Sequence, residues 1–168
     1  MKIVKISIIA EAGINHNGKI KIAKKLIDEA KNAGADYIKF QAYKTNQLVT
    51  QRTQLANYQK SFIQNNKTQA DMLEKYELNK NNFGELIKYF KSKKIKFLAS
   101  VFDISSFNML VKHRIQIFKI PSGEITNLPL LEHIGRLNKK IILSTGMSNM
   151  NDIKKALKIL IKSGTNIK

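Results

Sequence analysis

Two lysines sit inside apolar, strand-like runs, Tyr37-Ile38-Lys39-Phe40 and Ile117-Phe118-Lys119-Ile120. An ammonium buried without a counter-charge is costly, so each lysine needs an anion. One reading pairs each with a carboxylate of the same chain, Glu11 or Glu124, to hold a barrel together. The other has both ammonium groups grip a phosphate or carboxylate ligand. Ser122, Ser144 and Gly146 favour the second reading. Hydroxyls and the free backbone N–H groups of a strand–turn–helix start are further donors to an anion. Glu11 is then a candidate for catalysis or substrate contact, with simple ion pairing as its alternative. His16 lies alone in a turn, where a local hydrogen-bond role is the ordinary one. His113 and His133 fall in helical stretches and read as surface or packing residues. With no other His or Cys near these groups, the sequence offers no metal triad.

Residues of this kind recur because short apolar runs alternate with amphipathic helical stretches. The runs read as strands over Lys5–Ala12, Tyr37–Gln41, Lys96–Val101, Gln116–Ile120 and Lys140–Ser144. Helices are predicted over Ile20–Ala33, Lys80–Lys93, Ser105–Lys112, Leu128–Leu137 and Asn151–Ser163. Asn79 is a candidate N-cap, Asp103 or Ser105 stands near another helix start, and Gly34 and Gly164 follow helix ends. The stretch from Ala42 to about Ala70 is long and polar. Met72-Leu73-Glu74 and Tyr76 beyond it suit either a lid or core packing.

Strand–helix alternation without hairpin signals implies a parallel sheet with right-handed crossovers. A doubly wound sheet and a closed barrel both fit. No G-x-G-x-x-G follows the first strand, and no phosphate-loop motif occurs. The barrel is favoured because the polar residues cluster at the strand ends where β/α barrels keep their chemistry. These are Glu11, Gln41, Ser100, Lys119 with Ser122 and Glu124, and Ser144 with Gly146. The expected fold class is therefore α/β, the first five units of a (β/α)8 barrel, in one incomplete domain over residues 1–168.

The formal charge is +18, and all but Arg52, Arg114 and Arg136 of the 30 basic side chains are lysine. Nucleic-acid readers lean on arginine for bidentate contacts. Scattered lysines with abundant Asn and Ile read instead as a compositional bias that still favours anionic substrates by steering. Nucleic acid is not an expected partner. The run Ile3–Ala12 is too short to span a bilayer and carries Lys5 and Glu11, so no membrane role is expected and the protein reads as cytoplasmic.

Five ordered motifs resemble the bacterial N-acetylneuraminate (sialic acid) synthases and their legionaminic and pseudaminic acid relatives. They are Ile9-Ala10-Glu11-Ala12-Gly13-Ile14-Asn15-His16-Asn17-Gly18, Lys39-Phe40-Gln41, Met72-Leu73-Glu74-Lys75-Tyr76-Glu77-Leu78, Phe118-Lys119-Ile120-Pro121-Ser122-Gly123-Glu124 and Ser144-Thr145-Gly146-Met147. Where relatives often have Thr-Pro-Phe, this chain has Ser100-Val101-Phe102, keeping the hydroxyl and losing the proline.

The resemblance implies condensation of phosphoenolpyruvate with an N-acetylated amino sugar such as N-acetylmannosamine, releasing phosphate. It implies that Lys39, Lys119, Ser122, Ser144 and Gly146 hold phosphoenolpyruvate, that Gln41 contacts the sugar and that Ser100 is a further substrate-binding residue. Glu11 would act as a general acid/base or orienting group, and Glu124 would lie near the metal-bound water or the developing positive centre. It further implies a divalent metal, Mn or Mg, whose histidine ligands lie outside this chain, and a homodimer for the intact enzyme. Five strands cannot close an eight-stranded barrel. The chain alone is therefore expected to be inactive, with exposed edges that promote self-association.

Overall fold

The computed structural model describes residues 6–57 and 68–166. Five parallel strands, β1 (Ile9–Gly13), β2 (Tyr37–Ala42), β3 (Lys96–Val101), β4 (Ile117–Ile120) and β5 (Lys140–Leu143), pair in sequence order. Helix α1 (Ile20–Asn32) links β1 to β2. The long connection after β2 holds α2 (Thr45–Leu48), α3 (Gln69–Tyr76) and α4 (Lys80–Ser92). Helix α5 (Ile104–Lys112) precedes β4, a 3₁₀ turn (Ser122–Glu124) and α6 (Leu128–Arg136) precede β5, and α7 (Met150–Ser163) follows it.

Alternation along the strands divides the sheet into two faces. Ile38, Phe40, Ala42, Phe97, Ala99, Val101, Phe118 and Ile120 point toward the helices and form one buried cluster with them. Phe97 lies at its centre, stacked on Phe90 (4.8 Å between centroids) and Phe40 (5.7 Å), with Phe83 edge-on at 6.5 Å. Each fully buried Phe is worth about 1.5–3 kcal/mol by area transfer. The opposite face carries Glu11, Lys39, Gln41, Ser100 and Lys119 toward the strand ends. It also carries Ile9, Leu98, Ile117 and Ile142, which line a cavity of about 190 Å³.

One turn returns the chain from helix to strand repeatedly. Gly34, Lys94, Arg114 and Gly164 all have positive φ after α1, α4, α5 and α7. The next amide in each case donates to a carbonyl one turn back: Ala35 to Ala30, Ile95 to Phe90, Ile115 to Leu110 and Thr165 to Leu160. This is the Schellman termination, with an apolar residue packing beyond the helix end at Ala35, Ile95 and Ile115. The expected stops at Gly34 and Gly164 thus belong to a wider device that also uses Lys94 and Arg114.

The expected strands and helices appear in order with shifted bounds. Strand β1 begins at Ile9, and Lys5 lies outside the described residues. The polar stretch 42–70 is not free of structure, since α2 occupies Thr45–Leu48 and α3 starts at Gln69. A capping box at Thr68 and Asp71 fixes that start, a local signal that outweighs polar composition. Asp103, rather than Ser105, caps α5.

Candidate functional site

The ladders place Glu11 opposite Lys39, Gln41 opposite Ser100, and Ser100 opposite Lys119. Because side chains in register share a face, four neighbouring strands deliver their polar residues to one patch. Lys39 is buried, with its ammonium in contact with Glu11 Oε2 and donating to Ser100 Oγ at 3.1 Å. Glu11 remains 55% exposed, so its carboxylate is open to solvent on the side away from the lysine.

Gly13 lets β1 end here. It has φ +53° at an irregularity in the β1–β2 register. A Cβ at this position would lie 3.3 Å from Glu11 Oε1 and 4.0 Å from Gln41 Nε2. Glu11 and Gln41 therefore flank the same small gap.

Lys119 is half-buried on the same face. Burial holds its ammonium below the usual lysine range, the Lys39 charge pushes it the same way, and Glu11 partly offsets both. Two ammonium groups that repel each other, with one carboxylate nearby, leave a net positive patch. Such a patch favours an anion.

A second group adjoins it across β4 and β5. Ser122 follows two residues after Ile120, and a Cβ on Gly146 would stand 3.4 Å from Ser122 Oγ. Ser144 extends β5 by donating its N–H to Ile120 at 3.0 Å. Glu124 is held elsewhere, because Asn127 Nδ2 donates to Glu124 Oε2 at 2.7 Å while Asn127 Oδ1 caps α6. The fold thus unites Glu11, Lys39, Gln41, Ser100 and Lys119, and sets Ser122, Ser144 and Gly146 at the adjoining strand ends. Glu124 is bonded to its own turn.

His16 is fully buried and stacked on Phe40 at 6.0 Å, with Nδ1 accepting from Gly18 N–H at 3.1 Å. That is the local role ordinary for a turn histidine. His133 bonds Asn108 at 2.7 Å and packs edge-on against Phe107. Among the described residues, no three His, Asp or Glu side chains come together as a metal set. The carboxylates here, Glu11 and Glu124, do not fit a divalent ion by themselves. Among the described residues no helix is long and apolar enough to cross a membrane.

Glu77 was not singled out by sequence reasoning. It accepts from Thr45 N–H at 2.8 Å and from Lys44 Nζ at 2.7 Å. It stands within the pre-helix motif Met72–Leu78, and no local signal tied it to the tip of β2.

Known proteins share most of this chain. Over 160 residues it is 48% identical to the N,N'-diacetyllegionaminic acid synthase of Campylobacter jejuni, covering 95% of this chain and 48% of that protein. It is 40% identical over 150 residues to the enzyme of that name from Legionella pneumophila, covering 89% and 42%. The crystal structure of N-acetylneuraminic acid (sialic acid) synthetase from Leptospira borgpetersenii in complex with citrate superposes with a TM-score of 0.80 at 33% identity. That likeness covers 96% of this chain and 52% of that one. The chain thus spans about half the length of the curated relatives it matches. The NeuB family profile matches residues 26–167, which include Lys39, Gln41, Lys119 and the β4 and β5 turns. On that match and these identities, the chain belongs to the NeuB family.

Proposed function

We propose that this chain supplies the phosphoenolpyruvate-binding part of a nonulosonic acid synthase, built on the first five units of a β/α barrel. The observation that carries the reading is the pair Lys39 and Lys119, two ammonium groups on one sheet face with Glu11 as their nearby carboxylate. Phosphoenolpyruvate carries a phosphate and a carboxylate and suits such a patch. That the similar Leptospira synthetase was crystallised with citrate, another polyanion, agrees with this.

In this reading Lys39 and Lys119 hold the two anionic groups, and the hydroxyls of Ser100, Ser122 and Ser144 with the turn at Gly146 complete the grip. Gln41 contacts the hydroxyls of an N-acetylated amino sugar. The methylene carbon of phosphoenolpyruvate attacks the sugar aldehyde, forming the new C–C bond. Its neighbour, which bears the phosphate oxygen, becomes electron-poor. Water adds there and phosphate leaves. Glu11 is open to solvent beside Lys39 and can orient or deprotonate that water, and its charge favours the positive centre. A divalent metal, Mn or Mg, would come with ligands from outside this chain, as would the remaining barrel strands and a homodimer partner.

The test is calorimetric titration of phosphoenolpyruvate into the chain, followed by a phosphate-release assay with N-acetylmannosamine and Mn. Saturable binding weakened at least tenfold by Lys119→Gln is expected. Absence of binding would sink the reading. Binding without phosphate release, alone and together with any complementing polypeptide, would favour a noncatalytic anion binder.

A further inference from the structure

The tip of β2 is gripped by two carboxylates at consecutive amides. Lys44 N–H donates to Asp103 Oδ2 at 2.8 Å, and Thr45 N–H donates to Glu77 Oε2 at 2.8 Å. Asp103 is fully engaged at the start of α5, where it also accepts from Ser106 N–H at 2.7 Å and Ser106 Oγ at 2.8 Å. It is part of the rigid frame. Glu77 differs, because it closes the far end of the connection that leaves β2 just after Gln41.

The described part of that connection is tied to its surroundings at several points. Tyr43 Oη donates to the Leu73 carbonyl at 3.0 Å. The Lys75 carbonyl lies so near Gly18 that a Cβ there would be 2.2 Å from it. Helix α3 therefore bridges from the β1–α1 turn to the tip of β2. The two strands whose following segments it joins, β1 and β2, are those that carry Glu11 and Gln41. Lys44 Nζ completes the clasp on Glu77 Oε1 at 2.7 Å. Burial works against the Glu77 charge, but the bonds from Lys44 and Thr45 outweigh it and hold the carboxyl below the usual range.

We infer that Glu77 is a positioning residue that fixes α3 against the tip of β2 and so shapes the acceptor-sugar side of the site, leaving the anion side alone. The separation follows from the ladders. Lys39 is held by β1 on one side and β3 on the other, whatever α3 does. The backbone of Gln41 shares that frame through β3, but the chain leaves the ladder after Ala42, and the wall of the site beyond Gln41 depends on the connection that Glu77 ties down. This rests on the proposed synthase reading as far as the sugar is concerned; the clasp itself does not.

The experiment compares the wild-type chain with Glu77→Ala, Glu77→Gln and Lys44→Met. Amide hydrogen exchange is followed at Thr45 and across α3. Phosphoenolpyruvate is titrated first, and N-acetylmannosamine is then titrated onto the phosphoenolpyruvate-saturated chain. In Glu77→Ala, Thr45 and α3 should exchange at least tenfold faster and the sugar should bind at least tenfold more weakly, with phosphoenolpyruvate affinity within twofold. Glu77→Gln keeps an acceptor for Thr45 N–H and should fall between, and Lys44→Met should resemble it. Unchanged exchange in all three variants would overturn the clasp. Equal loss of sugar and phosphoenolpyruvate affinity would overturn the separation, as would a wild-type chain that binds phosphoenolpyruvate but no sugar. A wild-type chain that binds neither fails the synthase reading, while the exchange data still decide the clasp.

Discussion

The two faces of the sheet are built from the same strands by opposite rules. Toward the helices, Ile38, Phe40, Phe97, Ala99, Phe118 and Ile120 are each at most 5% exposed and belong to one apolar cluster. Toward the open side, Lys39, Ser100 and Lys119 alternate with them residue by residue, and Ile9 and Ile142 stay about 40% exposed. Stability therefore resides on the helix side. The open face is free to carry charge that a packed core would not tolerate. A one-residue slip of any strand would exchange the two sets.

The helix side should break most visibly at its most packed point. Phe97→Ala removes a ring that stacks on Phe90 and Phe40, and it should cost about 3–5 kcal/mol in urea denaturation. A loss below about 1 kcal/mol would mean that the aromatic cluster does not hold the sheet.

His16 lies in the turn that follows β1, buried against Phe40 of the helix side. Burial holds its ring below the ordinary value near 6.5. The unfolded chain therefore takes up the proton first as pH falls. The contribution of neutral His16 is full above about pH 6.5 and is lost progressively below it, down to the lowered folded value. Thermal melts from pH 8 to 5 should show this decline, and His16→Asn should flatten it. An unchanged slope in the variant would assign the decline to other groups.

On the open face, replacing charge should matter least to folding. Lys39→Met keeps the length of a buried side chain and leaves Glu11, already 55% exposed, to water. The expected change in unfolding free energy is within about 1 kcal/mol, although phosphoenolpyruvate binding should fail. A loss comparable to that of Phe97→Ala would make the Lys39–Glu11 pair a structural strut, the reading in which each lysine merely pairs with a carboxylate.

Much of this was readable before any coordinates. Apolar runs separated by helical periodicity set the order and type of the elements, because burial of parallel strands demands nearly continuous apolar sequence. Lysines inside such runs marked the charged face, since nothing else explains an ammonium there. The turn at Lys94 and Arg114 was hidden, because a helix end without glycine leaves no local mark. Helix α3 was half hidden, its capping box lying at the edge of a polar stretch.

The sequence by itself determined the alternation that makes one sheet face apolar and the other charged, since side-chain period and hydrophobicity are local properties. Only the tertiary structure decided which lysine meets which carboxylate. Lys39 took Glu11 and Ser100 because strand register places them side by side. Glu124 went to Asn127, a partner three residues away on its own turn. Glu77 found Thr45 and Lys44 across the long connection, a pairing that depends on where α3 comes to rest and that no spacing in the chain encodes.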